Sequence, residues 1–143
     1  MDSALYNRDI LRLASSLITG DRLDRPHGTA EVRSPICGSR IQADVKLAGN
    51  GKVAALALRA NACALGQATA AIVRANGVGL EIAAIGEIRA GVEQALKGTA
   101  PMPATWSELD LLVPAKDYPS RHAAILLPFD AVLAAADQLN LAS

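Results

Sequence analysis

The chain has 143 residues, is 51% hydrophobic, and balances 14 Lys and Arg against 14 Asp and Glu. That length and apolar content suit one domain over residues 1–143 with a single core. The charge balance leaves no excess of cations for phosphate backbones or anionic headgroups, so neither nucleic acid nor a membrane is expected as a partner.

In chain order, Tyr6, Ile10, Leu13, Ala14 and Leu17 share one stripe at helical spacing, which predicts an amphipathic helix over 3–18 closed by Gly20. Asp2, Arg8, Asp9 and Arg12 would break the apolar core of a signal peptide there. Residues 21–29 are polar, with Pro26 and Gly28, and read as a connection; a strand is expected at 31–34. Residues 40–47 alternate polar and apolar, placing Ile41, Ala43, Val45 and Leu47 on one face of a half-buried strand. Gly49-Asn50-Gly51 supplies a turn, and 53–58 returns as the partner strand of a hairpin.

An alanine-rich helix follows over 62–74, with Leu65, Thr69 and Ile72 on one face and Asn61 as N-cap. Ile85, Ile88, Val92 and Leu96 mark another helix, ending at Gly98. Residues 99–106, with Pro101 and Pro103, form a loop, and 109–113 is apolar with no clear period. A last helix is expected over 131–141, with Pro128 in its first turn, where no amide donor is needed. The longest uncharged run, 60–73, is shorter than the roughly 20 residues that cross a bilayer. The expectation is an α+β domain with a three-stranded antiparallel sheet, in a cytoplasmic protein.

The two cysteines are the residues with the most chemistry to offer. Cys37 lies in Ser34-Pro35-Ile36-Cys37-Gly38, where a turn leads into a strand and the glycine leaves room beside the thiol. Cys63 lies near an expected helix N-terminus, whose partial positive charge favours thiolate, the form that attacks sulfur and binds metal. Two cysteines make no disulfide framework, and their separation matches no short metal-ligand pattern. Each also suits a buried position as a small hydrophobe. Pairing of the hairpin strands 40–47 and 53–58 would return Cys63 to the end of the sheet where Cys37 stands.

Three ordered blocks of sequence resemble one family, the U-type iron–sulfur cluster assembly scaffolds, which include the Isc and Suf scaffolds and the N-terminal domain of NifU. Ser34-Pro35-Ile36-Cys37-Gly38 matches the family's N/S-P-x-C-G-D up to its last position. Cys63-Ala64-Leu65-Gly66-Gln67-Ala68-Thr69 is similar to C-A-I-S-x-A-S. Arg121-His122-Ala123-Ala124-Ile125-Leu126-Leu127-Pro128-Phe129 is similar to the R-x-x-C-A-L-L-P-W of Suf-type members, as is the long interval before it. The resemblance implies a three-stranded antiparallel sheet covered by helices, a cysteine desulfurase as partner, and iron or a [2Fe–2S] cluster handled for transfer.

On that resemblance, Cys37 and Cys63 are the metal or cluster ligands, and Gly38, Ser39, Arg121 and Ala124 line the site. The family's aspartate is Ser39 here and its third cysteine is Ala124. Two thiolates do not complete the four N, S or O ligands of a closed zinc site. His122 is a possible additional ligand, and a homodimer that pools two pairs of cysteines is another way to complete a shell. The alternatives are a zinc-dependent persulfide acceptor for a cysteine desulfurase and a metal-free interaction protein of the same machinery. Tyr118-Pro119-Ser120-Arg121 stands where the family carries its chaperone-docking L-P-P-V-K.

Overall fold

The computed structural model describes residues 7–17, 22–34 and 38–142, with side chains described through Gln138. In order these form α1 (Arg8–Ser16), β1 (Gly28–Arg33), β2 (Arg40–Leu47), β3 (Val53–Asn61), α2 (Ala64–Gly77) and α3 (Ile82–Leu96). A 3-10 segment (Ser107–Asp117), a 3-10 turn (Pro119–Arg121) and α4 (His122–Ala142) complete the described chain. The strands form one antiparallel sheet in the order β1-β2-β3, an α+β arrangement.

The centre of that sheet is β2, over the range its alternation predicts. Ile41, Ala43 and Val45 are buried on one face, opposite Ala60, Leu58 and Leu56 of β3. Leu47 departs from this pattern and is only half-buried, because the register slips between Lys46 and Leu47, where Ala54 is the extra residue of a bulge. β3 reaches Asn61 rather than residue 58, since Arg59, Ala60 and Asn61 continue to pair with Gln42, Ile41 and Arg40. β1 begins at Gly28 rather than at residue 31, because polar Thr29 has a partner across the strand: its hydroxyl donates to Asp44 at 2.8 Å.

Asp44 lies on the opposite face from the apolar core, yet it is only 2% exposed. Arg22 Nε and Nη2 donate to its two oxygens at 3.2 Å each, and the Leu23 amide donates at 3.1 Å. Burial pushes the carboxyl up, but the hydrogen bonds from Arg22, Thr29 and Leu23, with the Arg22 charge, outweigh it and hold Asp44 below the usual carboxylate range. Lys46 Nζ donates to the Asp24 carbonyl, and His27 Nδ1 accepts from the Leu47 amide, so the segment before β1 is tied along the length of β2.

The helices cover the apolar face. α2 and α4 pack on the sheet and on each other, α1 packs on α2, and α3 packs on α4. Nine of the residues of α2 are buried, in keeping with a helix enclosed by neighbours. In α1 the Asn7 side chain caps by accepting from the Ile10 amide at 3.0 Å. That helix stops at Ser16, short of the predicted residue 18, where the Ser15 and Ser16 hydroxyls turn back onto the Leu11 and Leu13 carbonyls. Tyr6 and Gly20, which the sequence placed in and just after this helix, lie outside the described residues. α3 ends at Leu96 with Gly98 at φ +82°, in the left-handed region.

Two regions differ from their sequence expectations more widely. The stretch 109–113 belongs to the 3-10 segment, and its buried residues Leu109, Leu112 and Ala115 recur every third position, the period of that helix. Trp106 precedes it and stacks on Phe129, with ring centroids 5.9 Å apart at 9°. The last helix starts at His122, not near residue 131, so Pro128 is interior and has no amide hydrogen for the Ala124 carbonyl. A proline inside a helix costs about 3 kcal/mol. Ile125, Leu126, Leu127, Phe129 and Val132 are all buried in this helix, at roughly 1.5–3 kcal/mol each, which offsets that cost several times over.

Candidate functional site

The start of β2, the end of β3 and the start of α4 meet at one end of the sheet. Before β2, the Ser34 amide donates to the Ser39 carbonyl at 2.9 Å and the Gly38 amide donates to the Ser34 carbonyl at 3.0 Å. These bonds hold together the flanks of residues 35–37. Cys37, and with it the expectation that the two cysteines adjoin, lies outside the described residues. Gly38, the next residue, has φ +74°, a conformation that glycine adopts at no steric cost.

Register brings the second block to the first. Arg40 is the partner of Asn61, so the hairpin delivers Asn61, Ala62 and Cys63 beside Gly38 and Ser39. Cys63 itself is the N-cap of α2, a role expected of Asn61, which instead remains in the strand. The thiol makes no capping hydrogen bond and is partly exposed at the positive end of the helix dipole. One turn on, Gly66 allows α2 to approach α4: a Cβ there would stand 2.9 Å from Ala62 Cβ and 3.4 Å from the Ala124 carbonyl oxygen.

The third block arrives from α4 and the turn before it. Ser120, Arg121 and Ala124 close a cavity of about 260 Å³ whose other walls are Gly38, Ser39, Asn61, Ala62 and Cys63. Ser39 and Ala124 are both buried. His122 does not line this cavity; its Nε2 donates to the Ala115 carbonyl at 2.9 Å, which ties α4 to the 3-10 segment. Among the described residues no group of three or more His, Cys, Asp or Glu is placed to hold a metal ion. The described donors, one thiol and a serine hydroxyl, do not fit a closed zinc site. Asn61, Ala62 and Ser120 line the cavity without having been expected there from the sequence. Asn61 had a visible signal, since it stands two residues before Cys63 at the end of an alternating strand.

No helix among the described residues is long and apolar enough to cross a membrane. No protein-family model matches the chain, and no curated protein matches it. Solved structures do. An N-terminal NifU-like protein from Brucella abortus, described as nitrogen-fixing, is 31% identical over 99% of this chain and 98% of that one, with a TM-score of 0.90. A candidate iron–sulfur cluster assembly scaffold protein for the SUF system, from thermophilic Fervidobacterium islandicum, shares the fold at 18% identity. That match covers 94% of this chain and 98% of that one, with a TM-score of 0.85.

Proposed function

Because this chain belongs to the NifU-like family of U-type iron–sulfur cluster scaffolds, we propose that it handles sulfur and iron for cluster assembly through Cys63 and Cys37. One observation carries the reading: residues from three blocks far apart in sequence, Gly38-Ser39, Cys63 and Arg121 with Ala124, line a single cavity. A cysteine desulfurase is the fitting source of sulfur. In that transfer the Cys63 thiolate attacks the outer sulfur of the donor's persulfide; a new S–S bond forms on Cys63 and the donor cysteine leaves as thiolate. The electrons balance without any further oxidant. The Arg121 guanidinium at the cavity wall offers a cation to the anionic sulfur species.

A [2Fe–2S] cluster as cargo takes four thiolate-type ligands, whereas one chain offers two cysteines. Two chains, each giving Cys37 and Cys63, complete the shell. Ser39 and Ala124 favour a second reading, in which the chain carries no metal and acts as a persulfide acceptor or as a regulatory partner of the desulfurase.

Anaerobic reconstitution with iron and sulfide separates these readings. The expected product is a dimer with one cluster per two chains, lost in Cys37→Ala and in Cys63→Ala. A monomer with a full cluster that survives Cys37→Ala overturns the ligand assignment. Absence of iron, sulfide and zinc, with labelled sulfur passing from a desulfurase to Cys63, selects the persulfide acceptor. Neither metal nor sulfur on the chain leaves only the regulatory partner.

A further inference from the structure

Gln67, one turn into α2, does not line the cavity, yet it holds the residue that carries the thiol. Its side-chain Nε2 donates to the Ala62 carbonyl at 3.0 Å, and its backbone amide donates to the Cys63 carbonyl at 3.0 Å. Those two carbonyls belong to the peptide units on either side of the Cys63 Cα. Each unit is planar, so fixing both oxygens fixes both planes, and the two planes together set the direction of the Cα–Cβ bond. Cys63 accordingly stands at φ −65° and ψ 169°, with rotation about Cα–Cβ as the freedom left to its sulfur.

The backbone bond is the ordinary first bond of a helix; the side-chain bond is not. In a capping box, a glutamine near the helix start reaches back to accept from the N-cap amide, and the N-cap side chain accepts from the helix in return. Here the glutamine donates instead, to the carbonyl of the residue before the N-cap, and the Cys63 thiol makes no capping hydrogen bond. Ala62 is the link between the end of β3 and that N-cap, so this one bond ties the exit of the strand to the body of the helix. Gly66 adds to the hold, because its bare Cα faces the Ala62 methyl, where a Cβ would stand 2.9 Å away. The start of α2 is thus secured from outside the cavity, and the thiol is left unengaged in the wall that it shares with Ala62.

We propose that Gln67 is the positioning residue for Cys63: its side-chain amide fixes the peptide that enters Cys63 and so holds the thiol in place at the cavity. Attack on a sulfur–sulfur bond requires the thiolate to be held in line with the bond that breaks, and lost orientation slows that step without altering the thiol itself. The use of this placement in taking up a persulfide rests on the function proposed above; the placement does not.

Four variants of the full, metal-free chain test it. Gln67→Leu and Gln67→Glu keep roughly the shape of the side chain and lack the donor at neutral pH, and Gln67→Lys restores a donor. Asn7→Ala removes the side-chain hydrogen bond that caps α1 and controls for stability. Nitrogen relaxation of the Cys63 amide reads its order with no sulfur chemistry involved. Labelled sulfur passed from the persulfide of a cysteine desulfurase to Cys63 reads the transfer, and iodoacetamide alkylation of Cys63 at the alkaline plateau of its rate reads intrinsic reactivity. In Gln67→Leu and Gln67→Glu the order parameter should fall below the rigid value of about 0.85, transfer should slow about tenfold, and alkylation should not change. Gln67→Lys should recover most of both losses, and Asn7→Ala should show neither.

Unchanged order at Cys63 in Gln67→Leu overturns the proposal, and an equal loss of order in Asn7→Ala does so by making the effect one of stability. A fall in alkylation as large as the fall in transfer also overturns it, since the change then lies in the reactivity of the thiol and not in its placement. If wild type takes up no sulfur while Cys63 loses order in Gln67→Leu and regains it in Gln67→Lys, the proposed function falls and the positioning stands. If wild type and Gln67→Leu accept sulfur at the same rate, the positioning falls and the proposed function stands.

Discussion

Asp44, in the middle of β2, and Ser34, before its start, are both buried polar side chains, and the chain treats them in opposite ways. Asp44 has a donor for each oxygen, drawn from Arg22, Leu23 and Thr29. Ser34 has none for its hydroxyl, and the adjoining cavity offers a buried serine, Ser39, and a buried alanine, Ala124, beside its described thiol. The same sheet thus satisfies its buried polar group where it anchors a connection and leaves one unsatisfied at the end beside the Cys63 cavity. A buried polar group without a partner is uncommon in a folded chain, which sets this end of the sheet apart from the middle of β2.

The largest effect expected from breaking this contrast comes from filling the open end. Ser39→Asp combined with Ala124→Cys should raise zinc affinity by on the order of a thousandfold and give one zinc per chain, because a carboxylate and a third thiolate complete a four-ligand set with Cys37 and Cys63. Chelator competition measures it. Unchanged affinity would mean that these four positions do not converge on one ion.

Emptying the closed point comes next. Asp44→Ala leaves Arg22 and Thr29 without their partner and should cost about 3 kcal/mol at neutral pH in urea unfolding. The pH dependence follows from the direction of the shift. The folded carboxyl is held below its usual range, so its contribution is complete above the unfolded value near pH 3.9 and is lost as pH falls through the lower folded value. Wild type and Asp44→Ala should therefore converge in strong acid; a constant gap would assign the loss to packing alone.

Smaller effects sharpen the comparison. Gly66→Ala pushes a methyl to 2.9 Å from Ala62 Cβ and should cost about 1–2 kcal/mol, since the cavity wall behind Cys63 is as tightly packed as the core. Asn7→Ala removes the cap of α1 and should cost about 1 kcal/mol with no change in metal binding. Thermal unfolding with cluster loading on the same samples checks both.

What the sequence revealed follows from where the information lies. The bounds of β2 were readable because alternation alone sets which face is buried. The 3-10 segment carries a period of three that only Leu109, Leu112 and Ala115 display, interrupted by Pro114 and other residues of mixed character. Pro128 reads locally as a helix start, and only the burial of the residues on both sides of it makes the longer helix favourable. Asp44 looks like any polar residue of an alternating strand; its cover comes from Arg22 and Leu23, which periodicity cannot connect to it. The walls of the cavity were visible through motif spacing, whereas the convergence of Gly38 with Asn61 depends on register, which sets Arg40 against Asn61.

One pairing has a consequence for the order in which the chain is made. β1 lies at an edge of the sheet and packs against α4, and the Thr29 amide donates to Gln138 Oε1 across nearly the whole sequence. A chain emerging from the ribosome completes all three strands by Asn61, yet the helix that covers the first of them begins only at His122. Until then the part of the sheet that α4 covers, β1 and β2, shows an apolar face and an unprotected edge, the surfaces through which nascent chains associate wrongly. An element made after all three strands is the one that covers the first of them, so a nascent chain halted before α4 exposes the surfaces that a chaperone would shield.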